Sequence, residues 1–440
     1  MLSEDILTLE DKVVDSTDIQ KELAKLNALQ RYADNSFKEL HPEQNINQLE
    51  ETLSKEIKND KVSKLITFFT MLSAYTHSNQ LNVSFNASSS TGKTHITTSL
   101  AKLFPPEDRI ELNSASPTAL RYKEGVKDEE TGATIVDLSR KILIFYEVPG
   151  PELQKTLRSV LSHDSWENRS LMTNKDKKGA NRAQEIIIRG FPATIFCSAG
   201  LRLDEQEATR AILLSPETTQ EKLTASIHFS ALRNSGDTEF LDSLENDPDI
   251  LKLKKRIEDI RLTEVDDVYI PNLGALEKRF TDMVGKAKPR HSRDIDHLLK
   301  LIKAITIFNV WHRRDGDKVI ATQSDIDQAL ELWKPIVDSQ DQNIPPMLLD
   351  FYRKVIVPAF NEKLATPEYK YAMENGAIGL NREELCVASQ QKLGQTLNWE
   401  YYRHDMQPQL EASSLIDVRK PETGDRRSYH VFPLLKLKTI

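Results

Sequence analysis

A lysine and a threonine directly follow a glycine in the stretch ASSSTGKT, residues 87–94. A loop of this kind at the start of a helix binds phosphates through its backbone N–H groups. The lysine reaches the β- and γ-phosphates, and the hydroxyl helps to hold Mg²⁺. Ala87 replaces the first glycine of the pattern G-x-x-x-x-G-K-S/T, which a small residue can do where the backbone angles stay ordinary. The stretch predicts an ATP and Mg²⁺ site whose nucleotide-binding residues are Ala87, Ser88, Ser89, Ser90, Thr91, Gly92, Lys93, Thr94 and His95.

The flanking sequence decides between this prediction and a chance GKT at a helix start. LNVSFNA, before the loop, has the composition of a strand, and THITTSLAKLFP, after it, has that of a helix. Two further apolar runs, KILIFYEV at 141–148 and FPATIFCSAG at 191–200, are typical of buried parallel strands separated by helical segments. The pattern predicts an α/β core with the loop between a strand and a helix.

Polar residues at the ends of these strands are candidates for catalysis. Glu147 follows the apolar run 142–145, where a carboxylate can orient the attacking water and help to hold Mg²⁺. Tyr146 takes the place of the aspartate usual before it, and Glu147 could instead simply cap the turn that follows. Ser198 ends the third run, where it could contact the γ-phosphate or the water.

Two arginines further along the chain are candidates for stabilising phosphate charge. Arg210 follows an acidic segment and could reach the γ-phosphate of a neighbouring subunit, although a surface ion pair is the commoner role of an arginine. Arg290 and Arg293 stand near the start of a helix, where the dipole disfavours cations unless an anion is bound.

The succession ASSSTGKT, ILIFYE, ATIFCS, EATRAILLSPE, SRDIDHLLKLIKA resembles the AAA+ ATPases over about residues 65–310. The resemblance implies a Walker A loop, a Walker B strand with Glu147, sensor 1 at Ser198, an arginine finger at Arg210 and sensor 2 at Arg293. It also implies Thr94 and Glu147 at the metal. The departures at Ala87, Tyr146 and Ser198 put the rate of hydrolysis in question more than nucleotide binding.

The segment between Glu147 and Ser198 resembles the pre-sensor-1 hairpin group, which includes helicases of the MCM type and of phages and integrative elements. Two β-like runs surround the basic tip KDKKGANR. In a hexameric ring this tip would contact single-stranded DNA in the pore. The predicted DNA-binding residues are Lys175, Lys177, Lys178 and Arg182, with Arg121, Tyr122 and Lys123 as weaker candidates. The alternative is a solvated hairpin turn.

Four regions are predicted: a helical N-terminal region at 1–60, an ATPase core at 61–217, a helical lid without strands at 218–343, and a last region at 344–440. The last region resembles a winged helix with PETGDRR as its wing tip. Arg419, Lys420, Arg426 and Arg427 would then meet duplex DNA. A role in protein contacts is the alternative, because the charge of this region is near neutral.

Composition limits the classes of function. A net charge of −8 excludes binding to nucleic acid through bulk charge, so that contacts must come from local basic patches. Two distant cysteines and the absence of an apolar run of 18 residues predict a reduced, cytoplasmic protein without membrane contact, associated with the nucleoid if prokaryotic. The sequence favours a ring-shaped, DNA-translocating ATPase, a replicative-type DNA helicase or replication-initiation motor of a mobile element or virus, whose 3′–5′ polarity is implied by the resemblance alone. A protein-remodelling machine and a nucleotide-dependent scaffold or initiator are the alternatives.

Overall fold

The computed structural model describes residues 35–88, 90–113, 125–129, 131–147, 149–175, 181–198, 209–367, 379–420 and 429–434. The strands are β1 Asn82–Asn86, β2 Arg109–Leu112, β3 Gly125–Lys127, β4 Thr134–Asp137, β5 Ile142–Phe145, β6 Glu167–Lys175, β7 Asn181–Arg189, β8 Ala193–Ser198, β9 Ile212–Leu214, β10 Val268–Tyr269, β11 Arg314–Asp315, β12 Lys318–Ile320, β13 Ile416–Arg419 and β14 His430–Pro433.

Helices surround these strands in chain order. They are Ile46–Leu53, Lys61–Ser73, Lys93–Ala101, Pro151–Leu161, Gln220–Arg233, Thr238–Glu245, Pro248–Leu262, Leu273–Val284, His291–Phe308, Val310–Arg313, Gln323–Trp333, Val337–Asp341, Pro346–Phe351, Val357–Ala365, Arg382–Leu393, Trp399–Tyr401 and Gln407–Ala412, with π-helical stretches at Tyr352–Ile356 and Tyr402–Met406 and a 3₁₀ turn at Pro106–Asp108. None of the helices in the described ranges is long and apolar enough to cross a membrane.

A five-stranded parallel sheet lies at the centre, in the order β2-β5-β8-β1-β9. Every residue of β1 and β5 is buried, because helices cover both faces of the sheet. Ile142 and Ile144 pack into the core on the face of the helix Lys93–Ala101, whereas Leu143 and Phe145 pack on the opposite face with the helix Pro151–Leu161. The predicted α/β core is therefore present as a parallel sheet flanked by helices.

One hydrophobic core extends from Ile46 to Ile336 and includes that first face of the sheet. The segment before residue 60 belongs to it. His41 stacks on Trp311 at 4.7 Å between ring centroids, and its Nε2 lies 2.8 Å from a carboxylate oxygen of Asp259. The boundaries predicted at residues 60 and 217 therefore do not coincide with a break in the core.

Residues 218–343 are mainly helical, but three strands interrupt the helices. Strand β12 pairs with β10 in parallel and with β11 in antiparallel fashion. The prediction of a region without strands was wrong here, because strands of two or three residues are too short to leave a periodic signal.

A second sheet, in the order β3-β4-β7-β6, is built from two insertions into the central α/β fold. Strands β6 and β7 form a hairpin whose nine pairs run from Glu167↔Arg189 to Lys175↔Asn181. Strand β4 lies parallel to β7 along residues 186–189 only, so that the outer half of the hairpin extends beyond it. At the base, Gly190 has φ +78 and lies so close to Ser139 that a Cβ would fall 2.1 Å from the Ser139 Oγ.

Residues 344–434 form a unit with its own core, from Ile344 to Val431. In the described part of this unit, three helical segments precede the antiparallel hairpin of β13 and β14, and Leu380 forms an isolated bridge to Val431. We call this the C-terminal unit. The sequence predicted helices followed by a β-hairpin, and this arrangement is present. Arg419 and Lys420 lie at the end of β13, whereas Arg426 and Arg427 lie outside the described residues.

Candidate nucleotide-binding site

The loop of residues 87–92 connects the carboxyl end of β1 to the helix Lys93–Ala101. Gly92 precedes that helix with φ 98, a conformation that favours glycine. Ala87 is fully buried with a negative φ, which explains why alanine can replace glycine there. Ser90 instead has the positive angle, φ 63. The first N–H groups of a helix have no partner within the helix, and this helix begins directly after the loop without a side-chain cap, an arrangement that suits anion binding.

Lys93 lies inside the loop. Its Nζ donates hydrogen bonds of 2.6 Å to the carbonyl oxygens of Ala87 and Ser88. Burial lowers the pKa of Lys93, since the ammonium has lost most of its water. Carbonyls satisfy the charge only in part, and phosphate oxygens would be stronger partners for it.

The strand order brings two predicted residues and the phosphate loop to one edge of the sheet. Strand β8 lies between β1 and β5, and Ser198 pairs in register with Asn86, the last residue of β1. Glu147 follows the end of β5 and is exposed. The ends of parallel strands meet at one edge, so Glu147, the backbone of Ser198 and the loop face the same space.

Tyr146 occupies the position where an aspartate is expected. Its hydroxyl donates a hydrogen bond of 2.5 Å to Oε2 of Glu111 on β2. Burial, together with this hydrogen bond, raises the pKa of Tyr146, so the phenol stays protonated. Strand β2 lies on the side of β5 away from the loop. The Tyr146 hydroxyl is therefore directed away from the phosphate site.

Thr94 and Glu147 are the predicted metal ligands, and both are exposed beside the loop. Among the described residues no group of three or more His, Cys, Asp or Glu side chains is arranged to hold a metal ion. A Mg²⁺ bound with the nucleotide would take most of its ligands from phosphates and water, as Mg²⁺ commonly does. Thr94 carries a hydroxyl and Glu147 a carboxylate, and both are oxygen ligands of the kind that Mg²⁺ prefers.

The side chain of His95 joins the loop helix to the segment before residue 60. One ring nitrogen lies 3.2 Å from the carbonyl oxygen of Glu56 and the other 3.4 Å from the hydroxyl of Ser99. These contacts leave only the backbone N–H of His95 for a phosphate, and its place among the nucleotide-binding residues stays a prediction. Ser89 lies outside the described residues.

Sequence reasoning missed Cys197, which lies on the face of the sheet that carries the loop helix. Its Sγ is 3.2 Å from the hydroxyl of Thr97. Burial raises the pKa of Cys197 to about 11, although Thr97 and Lys93 oppose that shift. Strand alternation in ATIFCS could have identified the cysteine, since it must face opposite to Phe196.

Lys222 was also missed, and it lies under the loop. Its Nζ forms an ion pair of 2.5 Å with Asp60 and donates a hydrogen bond of 3.1 Å to the carbonyl of Thr91. Both side chains of the pair are at most 5% exposed, so the pair is shielded from water. Burial raises the pKa of Asp60 in spite of Lys222. No local sequence pattern predicts this ion pair, because Asp60 and Lys222 are far apart in sequence.

Arg210 lies at the opposite edge of the sheet. Its carbonyl accepts a hydrogen bond of 3.2 Å from Asn82, the first residue of β1, and its Nε donates one of 2.6 Å to the hydroxyl of Ser162. The four-residue step along β1 separates it from its own loop by about 13 Å or more. Arg210 cannot act on the nucleotide of its own chain from there.

Arg293 lies at this same edge, where it donates a hydrogen bond to the hydroxyl of Thr209. Arg290 is bound by Asp294, Asn343 and Gln340. The structure therefore does not bring Arg293 to the phosphate loop of its own chain, as a sensor 2 acting within one subunit would require. Instead it places Arg293 beside Arg210.

Two of the predicted DNA-binding residues, Lys175 and Arg182, lie near the far end of the hairpin. Strand β6 ends at Lys175, and Arg182 is the second residue of β7. Lys177 and Lys178 lie outside the described residues, as do Arg121, Tyr122 and Lys123.

The family model of the MTBMA_p00010 P-loop domain matches residues 31–259, more than half of the chain. The chain belongs to the MTBMA_p00010 P-loop domain family. A search of curated proteins gave no match.

The P-loop domain match spans the phosphate loop, Glu147, Ser198, Arg210 and the Asp60–Lys222 pair. It begins before the first described helix, in keeping with the packing of residues 35–57 into the main core. Membership of a P-loop domain family indicates nucleotide binding, usually with Mg²⁺, and nucleotide hydrolysis in general.

Proposed function

We propose that this protein is an ATP-hydrolysing motor of the AAA+ type that assembles into a hexameric ring and moves along DNA. The observation that carries the proposal is the direct link between hairpin and nucleotide site. Strand β7 ends at Arg189, and after Gly190 the chain enters β8, whose other end lies beside the loop. A shift of β8 on hydrolysis would move the basic tip.

In this proposal Lys93 binds the β- and γ-phosphates of ATP and Thr94 contacts the Mg²⁺ that ATP brings. Glu147 orients the attacking water, and Ser198 contacts the γ-phosphate or that water. Arg210 and Arg293 act on the nucleotide of the neighbouring subunit, a role supported by their place at the edge of the sheet opposite to their own loop. Each site is then shared by two subunits.

The hairpin would carry DNA contact in the pore. Lys175, Lys177, Lys178 and Arg182 from each subunit would form a basic ring that follows the phosphate backbone without reading the bases. The C-terminal unit would act as a winged helix on duplex DNA. Arg419 is held there over the ring of Phe432 at 4.3 Å, and Lys420 lies 5.6 Å from the ring of Tyr429.

A nucleotide-dependent scaffold or initiator that hydrolyses ATP slowly is the second candidate. The position of Tyr146 favours it, because the tyrosine supplies no carboxylate to the metal and its hydroxyl is bound to Glu111. A protein-remodelling function is less favoured, since a pore loop that pulls polypeptide would be aromatic and apolar rather than basic.

The test is the ATPase rate with and without single-stranded DNA at low salt. We expect stimulation in the wild type, loss of hydrolysis by about 100-fold or more with retained ATP binding in Glu147→Gln, and loss of stimulation alone in a Lys175, Lys177 and Lys178 triple alanine variant. The matched control replaces three exposed lysines elsewhere, Lys278, Lys286 and Lys318. Absence of stimulation in the wild type would contradict the motor and leave the scaffold.

A further inference from the structure

A cavity of about 1200 Å³ lies between the nucleotide site and the C-terminal unit. Ser88 of the phosphate loop and Thr218, after β9, line one wall. Leu397 and Tyr401 of the C-terminal unit line the other, and the Tyr401 side chain lies beside Ser88. The phosphate loop is therefore covered on this side by residues more than 300 positions away in sequence.

Hydrogen bonds fix the C-terminal unit in this place. The side-chain amide of Gln395 donates one of 2.6 Å to the carbonyl of Thr218. The hydroxyl of Ser215 accepts one of 3.3 Å from the backbone N–H of Met347 and donates one of 2.8 Å to the carbonyl of Asn86. The C-terminal unit is thus connected to the residue that ends β1, directly before the loop.

A triphosphate bound at Gly92 to Thr94 must leave its ribose and base outside the loop. The cavity adjoins the loop at Ser88, and it is more than large enough for a nucleoside, since small-molecule pockets measure about 300–1000 Å³. Its walls combine apolar side chains such as Leu397 and Met406 and the rings of Phe351 and Tyr401 with a larger number of polar and charged side chains. Aromatic rings beside polar groups suit a flat, partly polar ligand such as a nucleoside.

We propose that this cavity receives the base and ribose of the nucleotide and that Tyr401 packs against the base. The inference rests on the proposed function, in that the phosphates lie at Lys93. The C-terminal unit is then a wall of the ATP site of its own chain, so nucleotide binding and the position of this unit are coupled. Tyr401 is a binding residue for the base and takes no part in hydrolysis.

The test compares two ligands by calorimetric titration of the full-length protein: Mg–ATP, and Mg–tripolyphosphate, which has no ribose or base. Tyr401→Ala removes the ring that packs against the base, so we expect it to weaken ATP binding about tenfold and to leave tripolyphosphate binding unchanged. Tyr401→Phe retains the ring and should bind ATP like the wild type. The matched control is Tyr429→Ala, an exposed tyrosine of the same unit that is 58% exposed.

A second variant approaches the cavity from the opposite wall. Thr218→Trp narrows the cavity near the phosphate loop and leaves the sequence of the C-terminal unit unchanged, so it should likewise weaken ATP binding and not tripolyphosphate binding. Wild-type ATP affinity in both Tyr401→Ala and Thr218→Trp would overturn the inference, as would an equal loss for the two ligands. Lys93→Ala should weaken both ligands; if it weakens neither, the proposed phosphate site itself is wrong.

Discussion

The hydroxyl of Tyr146 donates a hydrogen bond of 2.5 Å to Glu111 across the gap between two adjacent strands. A carboxylate is thus present near the end of the Walker B-like strand, but it comes from β2 and binds a phenol. Tyr146 occupies the usual place of an acidic residue and directs its polar group away from the phosphate loop. The Mg²⁺ concentration that ATP hydrolysis needs should therefore depend on the presence of Tyr146 in place of an acidic residue.

We expect Tyr146→Asp to lower, several-fold, the Mg²⁺ concentration that gives half-maximal ATP hydrolysis, because it adds a carboxylate directly before Glu147 in place of a phenol that is bound to Glu111. Tyr146→Phe supplies no ligand and should leave that concentration unchanged. The measurement is ATPase activity at fixed ATP over a Mg²⁺ series. An equal shift in both variants would show that the loss of the Glu111 hydrogen bond, rather than the new carboxylate, is responsible.

The buried pair of Lys222 and Asp60 predicts a large coupling in stability. Lys222→Met or Asp60→Asn each leaves one partner buried without its counter-charge, which costs about 3 kcal/mol in the free energy of unfolding. The double variant removes both charges and should cost clearly less than the two single variants together. Urea denaturation of the four proteins measures this difference. Additive losses would mean that the pair contributes no mutual stabilisation.

Because of two histidines with lowered pKa values, we expect the free energy of unfolding to decrease in weak acid. Burial lowers the pKa of His163 to about 3, and burial also lowers that of His297, whereas both would titrate near 6.5 in the unfolded chain. Between the pKa of the folded state and that of the unfolded state, the unfolded state binds more protons than the folded state. The free energy of unfolding is therefore highest above about pH 6.5 and falls as the pH decreases. The loss is on the order of 2 kcal/mol for each histidine at pH 5.

His163→Asn tests one of these two contributions, and asparagine tolerates the positive φ of 56 at this position. We expect urea midpoints of this variant to vary less between pH 7 and pH 5 than those of the wild type. His228→Asn, at an exposed position, is the control and should keep the wild-type slope. An unchanged slope in His163→Asn would contradict the assignment.

The position of Arg210 predicts that Arg210→Ala subunits lower the ATPase activity of assemblies that also contain wild-type subunits. If the arginine completes the site of a neighbour, each Arg210→Ala subunit disables a site that it does not itself contain. Activity should then fall more steeply than the fraction of variant added to the wild type. A titration of ATPase rate against that fraction measures this, with Ser162→Ala as a control that removes only the present hydrogen-bond partner of Arg210. A linear decline would contradict an interfacial arginine.

The sequence was most informative where a feature is local. The runs that became β1, β5 and β8 are apolar and short, and each leads to a polar residue, so both the strands and the edge where Glu147 lies could be predicted. The hairpin was predicted for the same reason, since two β-like runs surround a turn. Ala87 was tolerated in the loop as the backbone argument required.

Long-range features could not be predicted in this way. Nothing in SRDIDHLLKLIKA tells which end of the sheet the helix will approach, and Arg293 lies at the edge away from the loop. The ion pair of Asp60 and Lys222 joins segments whose polar residues look like solvated ones in a linear pattern. Periodicity reports that a residue is buried, but it does not identify its partner.

The pairing of β4 with β7 gives the hairpin the properties of a lever arm. Its nine-residue strands span roughly 30 Å, while only the part near Gly190 is held by the neighbouring strand. A tilt of about 10° at Ile186, the outermost residue of β7 that pairs with β4, would displace the outer ends of the two strands, roughly 17 Å away, by about 3 Å, close to the rise of about 3.4 Å between successive phosphates of a strand. Small rearrangements at the nucleotide would thus be amplified to the scale of a nucleotide step.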